Sequence, residues 1–492
     1  MNGLSGLNLT RKNRRMRRVA DPTSLFARLT MAMKVNPNLE RALEFSSSGE
    51  DAMSQDLRVK ISRGRLERPA EILDDFIEEW KGDYPEMERA GHLLEEAANG
   101  KTRERYLDLA FDIVLEETRK RMRRFASSIY LPTLIIYSVG ILLPLMLVAL
   151  LPTFSVIGGT IGLAPIAAIY CCILPAAVYL LSKQILAKRP QVLSPPQVSL
   201  RKVPGKELLL CVCISLLPLS AAIGLNLSPD VGGILSLWGA VGGLALYFWL
   251  SSAEAYERRK ILARMEEELP EVLMGLGGRV SEGRPAEDVL ASISKEVRGS
   301  AFEECLARAT ANVGVGGMGL REAFFGAVGS FSSIDSGTVR GVMEMLVSFV
   351  ERSTRVAGEA ICSIAQHLAK LNSLREEIKE MFGEMITSMK SVAVFFAPFV
   401  VAITARLQEV LFLKSFQSEI FSGKSFSPPA FSIILAIYAV VLAAILMAYA
   451  VELEVGDDGV VKRMVLAVSL PMAMLMFTAA WAVGGWMLTF LL

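Results

Sequence analysis

The chain has 492 residues, 52% of them hydrophobic and 21% charged, with a mean hydropathy of +0.41. A water-soluble globular protein of this size rarely shows such a balance, so the composition reads as a membrane protein with soluble parts. Lys plus Arg number 52 and Asp plus Glu 51, a formal charge of +1; net charge gives no argument for a nucleic-acid partner, and only its distribution carries information.

The N-terminus carries the basic run Arg11-Lys12-Asn13-Arg14-Arg15-Met16-Arg17-Arg18, followed by Asp21, Pro22, Arg28 and Lys34 in place of an apolar segment. No cleavable signal peptide is expected. Residues 1–128 are rich in Glu, Arg, Leu and Ala at helical spacing and read as a helical bundle. Apolar runs follow at 129–151, 155–181, 207–227 and 232–252, and again at 391–411, 430–451 and 464–491. Each is close to the roughly 20 residues that a helix needs to cross a bilayer. Between the fourth and fifth runs lies a second polar all-α region, 253–390.

The connection 182–206 holds Lys183, Lys188, Arg189, Arg201, Lys202 and Lys206 with no acidic residue, which marks it as cytoplasmic. Counting outward places 1–128 and 253–390 in the cytoplasm and the hairpin turns near Phe154 and Asp230 outside. The 452–463 turn, ending Lys462-Arg463, is then inside and the C-terminus outside. The clusters Arg119-Lys120-Arg121-Met122-Arg123-Arg124 and Arg258-Arg259-Lys260 flank the membrane runs on the same side. The expected architecture is an all-α polytopic membrane protein in four parts: a cytoplasmic bundle at 1–128, four spans at 129–252, a second bundle at 253–390 and three spans at 391–492. In the fifth span Arg406 and Glu409 interrupt the apolar run, and the helix is expected to exit near Arg406 and follow the membrane surface to about Phe416.

The chain repeats itself. Asn36-Pro-Asn-Leu-Glu-Arg-Ala-Leu43 matches Gly283-Arg-Pro-Ala-Glu-Asp-Val-Leu290 in pattern, a turn leading into an amphipathic helix. After each comes a long charged helical region running into a span with an early proline, Pro132 and Pro398 respectively. Arg189-Pro190 and Ser194-Pro195-Pro196 form a semi-rigid linker between the halves. In the second bundle Ile361, Ile364, Leu368, Leu371, Leu374, Ile378, Met381, Met385 and Met389 recur at three- and four-residue steps, so one long helix is expected to lead from the bundle into the fifth span.

Little material exists for catalysis. The six cysteines form no CxxC pair, with Cys171, Cys172, Cys211 and Cys213 in apolar runs and Cys305 and Cys362 alone in helical sequence. The two histidines, His92 and His367, stand far apart among helix formers. Gly314-Val-Gly-Gly-Met-Gly319 fits GxGxxG, yet helical sequence precedes it where a strand belongs, so it reads as a helix-to-helix turn. Ser422-Gly423-Lys424-Ser425 ends like a phosphate-binding loop but has Ser418 where the first glycine belongs. His367 lies on a cytoplasmic helix, as a phospho-accepting histidine would, but the chain re-enters the membrane with no nucleotide-binding domain after it. A transporter is the competing class, given the repeats and Pro144, Pro165, Pro175, Pro218 and Pro471 in the spans, but those spans are nearly free of charged residues. No enzymatic activity, metal or cofactor is expected.

The second bundle resembles the F-domain family of type II secretion systems, found in the inner-membrane platform proteins of type IV pili and archaeal flagella (archaella). The matching residues are Leu269-Pro270-Glu271-Val272-Leu273, then Val280-Ser-Glu-Gly283-Arg-Pro285-Ala-Glu-Asp-Val-Leu290, and Gly317-Met-Gly319-Leu-Arg-Glu-Ala-Phe324. The match covers about 265–415; the first copy, about 25–150, has Asn36 where the family has glycine and follows the pattern by order and spacing. Two such bundles with the spans arranged in this way look most like the archaeal platform proteins. The resemblance implies a cell-membrane scaffold on which a cytoplasmic hexameric secretion ATPase docks and which supports insertion of prepilin-like subunits into a filament. It also implies docking through charged cytoplasmic surfaces, for which Arg258, Arg259, Lys260 and Arg264, then Arg119, Arg121, Arg123 and Arg124, are the candidates. Beyond the bilayer and these partners, self-association as a dimer is expected, and no nucleic acid.

Overall fold

The computed structural model describes residues 21–35, 38–49, 51–64, 68–99, 102–156, 162–190, 204–225, 228–332, 334, 336–350, 354–417 and 428–491. Among these residues every regular element is helical, and seven helices are long and apolar enough to cross a membrane. The fold is therefore all-α, with the long apolar helices of a multi-pass membrane protein. The basic run at 11–18, Asn36, the Pro195-Pro196 stretch and residues 422–425 lie outside the described residues. The chain divides into two compact units. One comprises Met1–Arg124, Pro190–Val198 and Arg258–Lys379, and the other Phe125–Arg189, Ser199–Glu257 and Glu380–Leu492.

In the first unit the N-terminal bundle consists of α1 (Pro22–Val35), α2 (Leu39–Ser46), α3 (Ala52–Arg63), α4 (Pro69–Trp80), α5 (Glu86–Asn99) and the start of α6 (Arg103–Ser128). Side chains start these helices. The Asn38 carbonyl oxygen accepts the N–H groups of Glu40 and Arg41, the Asp51 carboxylate accepts that of Ser54 at 3.1 Å, and Glu71 reaches back to the N–H of Arg68 at 3.3 Å. Each satisfies an amide that a helix start leaves without an intrahelical partner. Leu25, Phe26, Leu57, Phe76 and Trp80 form the centre of the core, each contributing about 1.5–3 kcal/mol through burial. The Trp80 indole N–H donates to Asp56 at 3.0 Å, so this large ring is buried with its polar atom satisfied.

The second bundle uses a different chemistry. Its helices are the distal part of α12 (Pro229–Ser281), then α13 (Ala286–Glu296), α14 (Glu303–Gly314), α15 (Leu320–Phe325), α16 (Gly337–Val350) and the start of α17 (Thr354–Ser391). The turns before α13, α14 and α15 each contain a left-handed glycine: Gly283 at φ 82°, Gly299 at 84° and Gly317 at 62°. The GxGxxG segment is thus the α14–α15 turn. Phe324 and Phe331 stack at 5.2 Å in the core. Helices α12 and α17 cross in close contact, since a Cβ on Gly358 would lie 2.3 Å from the backbone nitrogen of Ser281 and one on Gly277 within 3 Å of Cys362 and of the Gly358 carbonyl. The helix that carries the fourth apolar run does not stop at the basic cluster after 257: it runs for 53 residues, to Ser281.

The helix through the fifth span is also long, as its stripe implies, but the buried positions drift. Ile361, Ile364, Leu368, Leu371, Leu374 and Ile378 are buried, after which Phe382, Ile386 and Met389 take over from Met381 and Met385. The expected stripe averages 3.5 residues per step and drifts about 20° per heptad against a 3.6-residue turn, so the buried face passes from Met381 and Met385 to their neighbours.

In the second unit three helices carry a widened turn of π geometry, Ser138–Leu142, Ile169–Ile173 and Val392–Phe396. Each ends two residues before a proline: Pro144, Pro175 and Pro398. Proline has no N–H and its ring crowds the carbonyl four residues back, so the helix takes an extra residue at that point. For Pro144 that carbonyl belongs to Gly140, and the Tyr438 hydroxyl donates to it. The Tyr170 hydroxyl donates in turn to the Pro144 carbonyl at 2.6 Å, and the two tyrosine rings meet edge to face at 5.5 Å. The backbone group that proline leaves without a helical partner is satisfied from α19 (Pro428–Glu454).

Helix α18 (Ala397–Gln417) continues unbroken past Arg406. The Arg406 guanidinium lies 3.4 Å over the Trp481 ring of α20 (Gly459–Leu491), donates to the Trp481 carbonyl at 3.1 Å and pairs with Glu409 at 2.6 Å. Gly484 and Gly485 make the room, because a Cβ on Gly485 would stand 3.0 Å from Arg406 Nη2.

Candidate functional site

The two bundles meet along α6 and α17, and a polar seam joins them. Asp108 faces His367 (3.0 Å), Asp112 faces Lys370 (2.6 Å), and Arg119 and Arg123 both pair with Glu377 (2.6 Å each). The contacts rise together in both chain segments, so the two helices run parallel. Both are the sixth helix of their bundle, so equivalent elements of the two halves lie side by side.

The centre of the seam is Lys34. Its side chain is only 5% exposed, and its ammonium donates to Asp108 at 2.6 Å and to the Ser363 hydroxyl. A buried ammonium is tolerated only with such partners. Asp108 also accepts from His367 Nε2, which fixes the neutral imidazole with its proton on Nε2, while Phe111 covers the ring at 4.5 Å. Burial, then the neighbouring Lys34 charge, pushes His367 down to about 4 against the opposing pull of Asp108. Asp108 lies below the ordinary carboxylate range: burial raises it, but the Lys34 ammonium outweighs burial. Both residues lie in the polar parts of their helices, ahead of the apolar runs at 129–151 and 391–411.

The docking candidates differ in exposure and in the partners they hold. Arg119 pairs with Glu116 and Glu377, and Arg121 with Glu86, whose side chain is 1% exposed, while stacking 4.3 Å over Tyr84. Arg123 belongs to the seam; Arg124 is 74% exposed, with Glu117 at 3.9 Å. On α12, Arg258 and Lys260 are exposed and Arg259 partly so, while Arg264 pairs with Glu268 one turn on at 3.3 Å. The sequence reading assigned none of Lys34, Asp108, His367, Lys370 or Glu377 to a site. The available signal was the spacing: 108, 112 and 119 on one helix and 367, 370 and 377 on the other carry complementary polar groups about one and two further turns apart, legible once the two helices are set in parallel.

In comparison with known proteins, no family model, curated protein or solved structure matches the chain.

Proposed function

We propose that the chain is a membrane platform protein of the F-domain type, which docks a cytoplasmic secretion ATPase and supports assembly of a pilus-like filament. The observation that carries this reading is the doubling. Two helical bundles with the same element order place their equivalent long helices, α6 and α17, in parallel, and each of these helices leads toward an apolar run. Such an arrangement is suited to receiving force rather than performing chemistry, with the energy supplied by a partner. In this reading the chain is not an enzyme, both bundles are cytoplasmic and the C-terminus is outside. Of the docking candidates, Arg124, Arg258 and Lys260 present exposed side chains, whereas Arg119 and Arg121 are largely covered.

Co-purification in mild detergent with mass spectrometry tests the reading: a secretion-type ATPase or prepilin-like subunits are expected to accompany the protein. Charge reversal of Arg258, Arg259 and Lys260 together is expected to release the ATPase while membrane insertion persists, and unchanged association would remove these residues from the docking surface. A transporter is the second reading, favoured by the Arg406–Glu409 pair turned inward among the spans. Isolation without either partner, together with substrate-dependent flux in proteoliposomes, would select it.

A further inference from the structure

At one end of the second unit, α10 (Leu174–Leu186) and the turn between α19 and α20 bring together a cluster of charges in which one cation is left without an ion pair. The turn supplies four carboxylates, each committed. Glu452 is held by Lys183 at 2.9 Å and also by Lys462; Asp457 pairs with Lys462 at 3.2 Å; Glu454 pairs with Lys390 at 2.5 Å. Asp458 accepts the N–H groups of Val460 and Val461, capping α20. Arg189 remains. Its guanidinium lies over the left-handed Gly456 of the turn, where a Cβ would stand 3.1 Å from Nη1. Its Nε is buried with no acceptor, and it has no ion-pair partner among the described residues.

The rest of its own connection offers no anion either: 190–206 contains Arg201, Lys202 and Lys206 and no Asp or Glu. Glu452 lies within electrostatic reach, but two lysines already share its charge. Burial pushes the Arg189 guanidinium down to about 10, against the pull of Glu452, a cost that an added anion would reverse. A planar donor fork at the end of membrane helices, with lysines beside it, has the chemistry of a phosphate receptor.

We propose that Arg189, seated on the Gly456 turn with Lys183 beside it, binds a phosphate group at the ends of the second, sixth and seventh spans, supplied by an anionic phospholipid headgroup or by free phosphate. The proposal does not depend on the platform reading.

The test uses the full chain in detergent micelles. Native mass spectrometry is expected to find phosphatidylglycerol retained about tenfold better than phosphatidylcholine, with the preference abolished in Arg189→Gln and weakened in Arg189→Lys, which keeps the charge and loses the fork. Lys295→Gln, on an exposed face of the second bundle, is expected to leave retention unchanged. That pattern assigns the site to lipid. No lipid preference, with inorganic phosphate raising the unfolding midpoint of the wild type but not of Arg189→Gln, assigns it to soluble phosphate. Neither response in the wild type, a comparison that needs no variant to fold, overturns the proposal, as does any response that Arg189→Gln leaves intact.

Discussion

The two bundles run through the same order of helices, yet they start them by different means. The first caps α2 and α3 with Asn38 and Asp51 and opens α4 with Pro69 and the Glu71 carboxylate. The second turns into α13, α14 and α15 through Gly283, Gly299 and Gly317. An N-cap side chain satisfies amides from outside the helix, whereas a left-handed glycine lets the backbone reverse without a Cβ penalty. Bundles of like element order can thus be started by different residues.

Several experiments would break or sharpen that comparison, with amide hydrogen exchange on the full chain reporting each bundle separately. The largest effect is expected from Gly358→Val, which drives a side chain into the backbone at Ser281. Overpacking against a main chain that cannot move aside costs about 3 kcal/mol or more, and protection should fall in the second bundle while the first keeps its own. Unchanged exchange at 286–296 would refute the close crossing.

The seam should respond to acid. His367 is held below its unfolded value of about 6.5, so the unfolded chain takes up the proton first as the pH falls. Stability is full above about pH 6.5 and is lost between there and about pH 4, by at most about 3 kcal/mol. His367→Gln is expected to flatten the urea midpoint across that window, and an equal slope in the variant would show that another group titrates.

The turn chemistries come next. Asp51→Ala should cost about 2 kcal/mol, because it removes the cap and the partner of the Arg28 guanidinium, 2.7 Å away. Gly283→Ala should cost about 1 kcal/mol, the strain of a left-handed alanine. Equal losses in both bundles on either substitution would mean that the two do not open independently. The smallest effect is expected at the outer seam, where a double-mutant cycle of Arg123→Ala and Glu377→Ala should give a coupling below about 1 kcal/mol, as solvent-screened pairs do.

Much of the fold was legible because apolar runs and helical periodicity are local properties. The seven long apolar helices, the helical bundles and the long helix into the fifth apolar run follow from residues close together in sequence. The continuation of α12 through Arg258-Arg259-Lys260 was not legible, because a basic cluster after an apolar run marks the membrane boundary, and a helix crosses that boundary without any change of backbone. The seam was hidden by distance: Asp108 and His367 are each unremarkable helix residues until chain segments 259 residues apart are set together. The inward turn of Arg406 was hidden for a similar reason, since its Trp481 and Gly485 partners lie in the last helix.

The widened turn at Val392–Phe396 also fixes an angle. One residue in a helix is about 100° of rotation, so the additional residue decides which side of α18 faces its neighbours, independently of where the stripe of α17 points. Deleting a single residue there would let the turn relax to α geometry and swing Arg406 about a quarter of the way round the axis, off the Trp481 ring. At this point in the chain a one-residue deletion should therefore be far more damaging than a substitution, because it changes the heading of every side chain that follows in the helix.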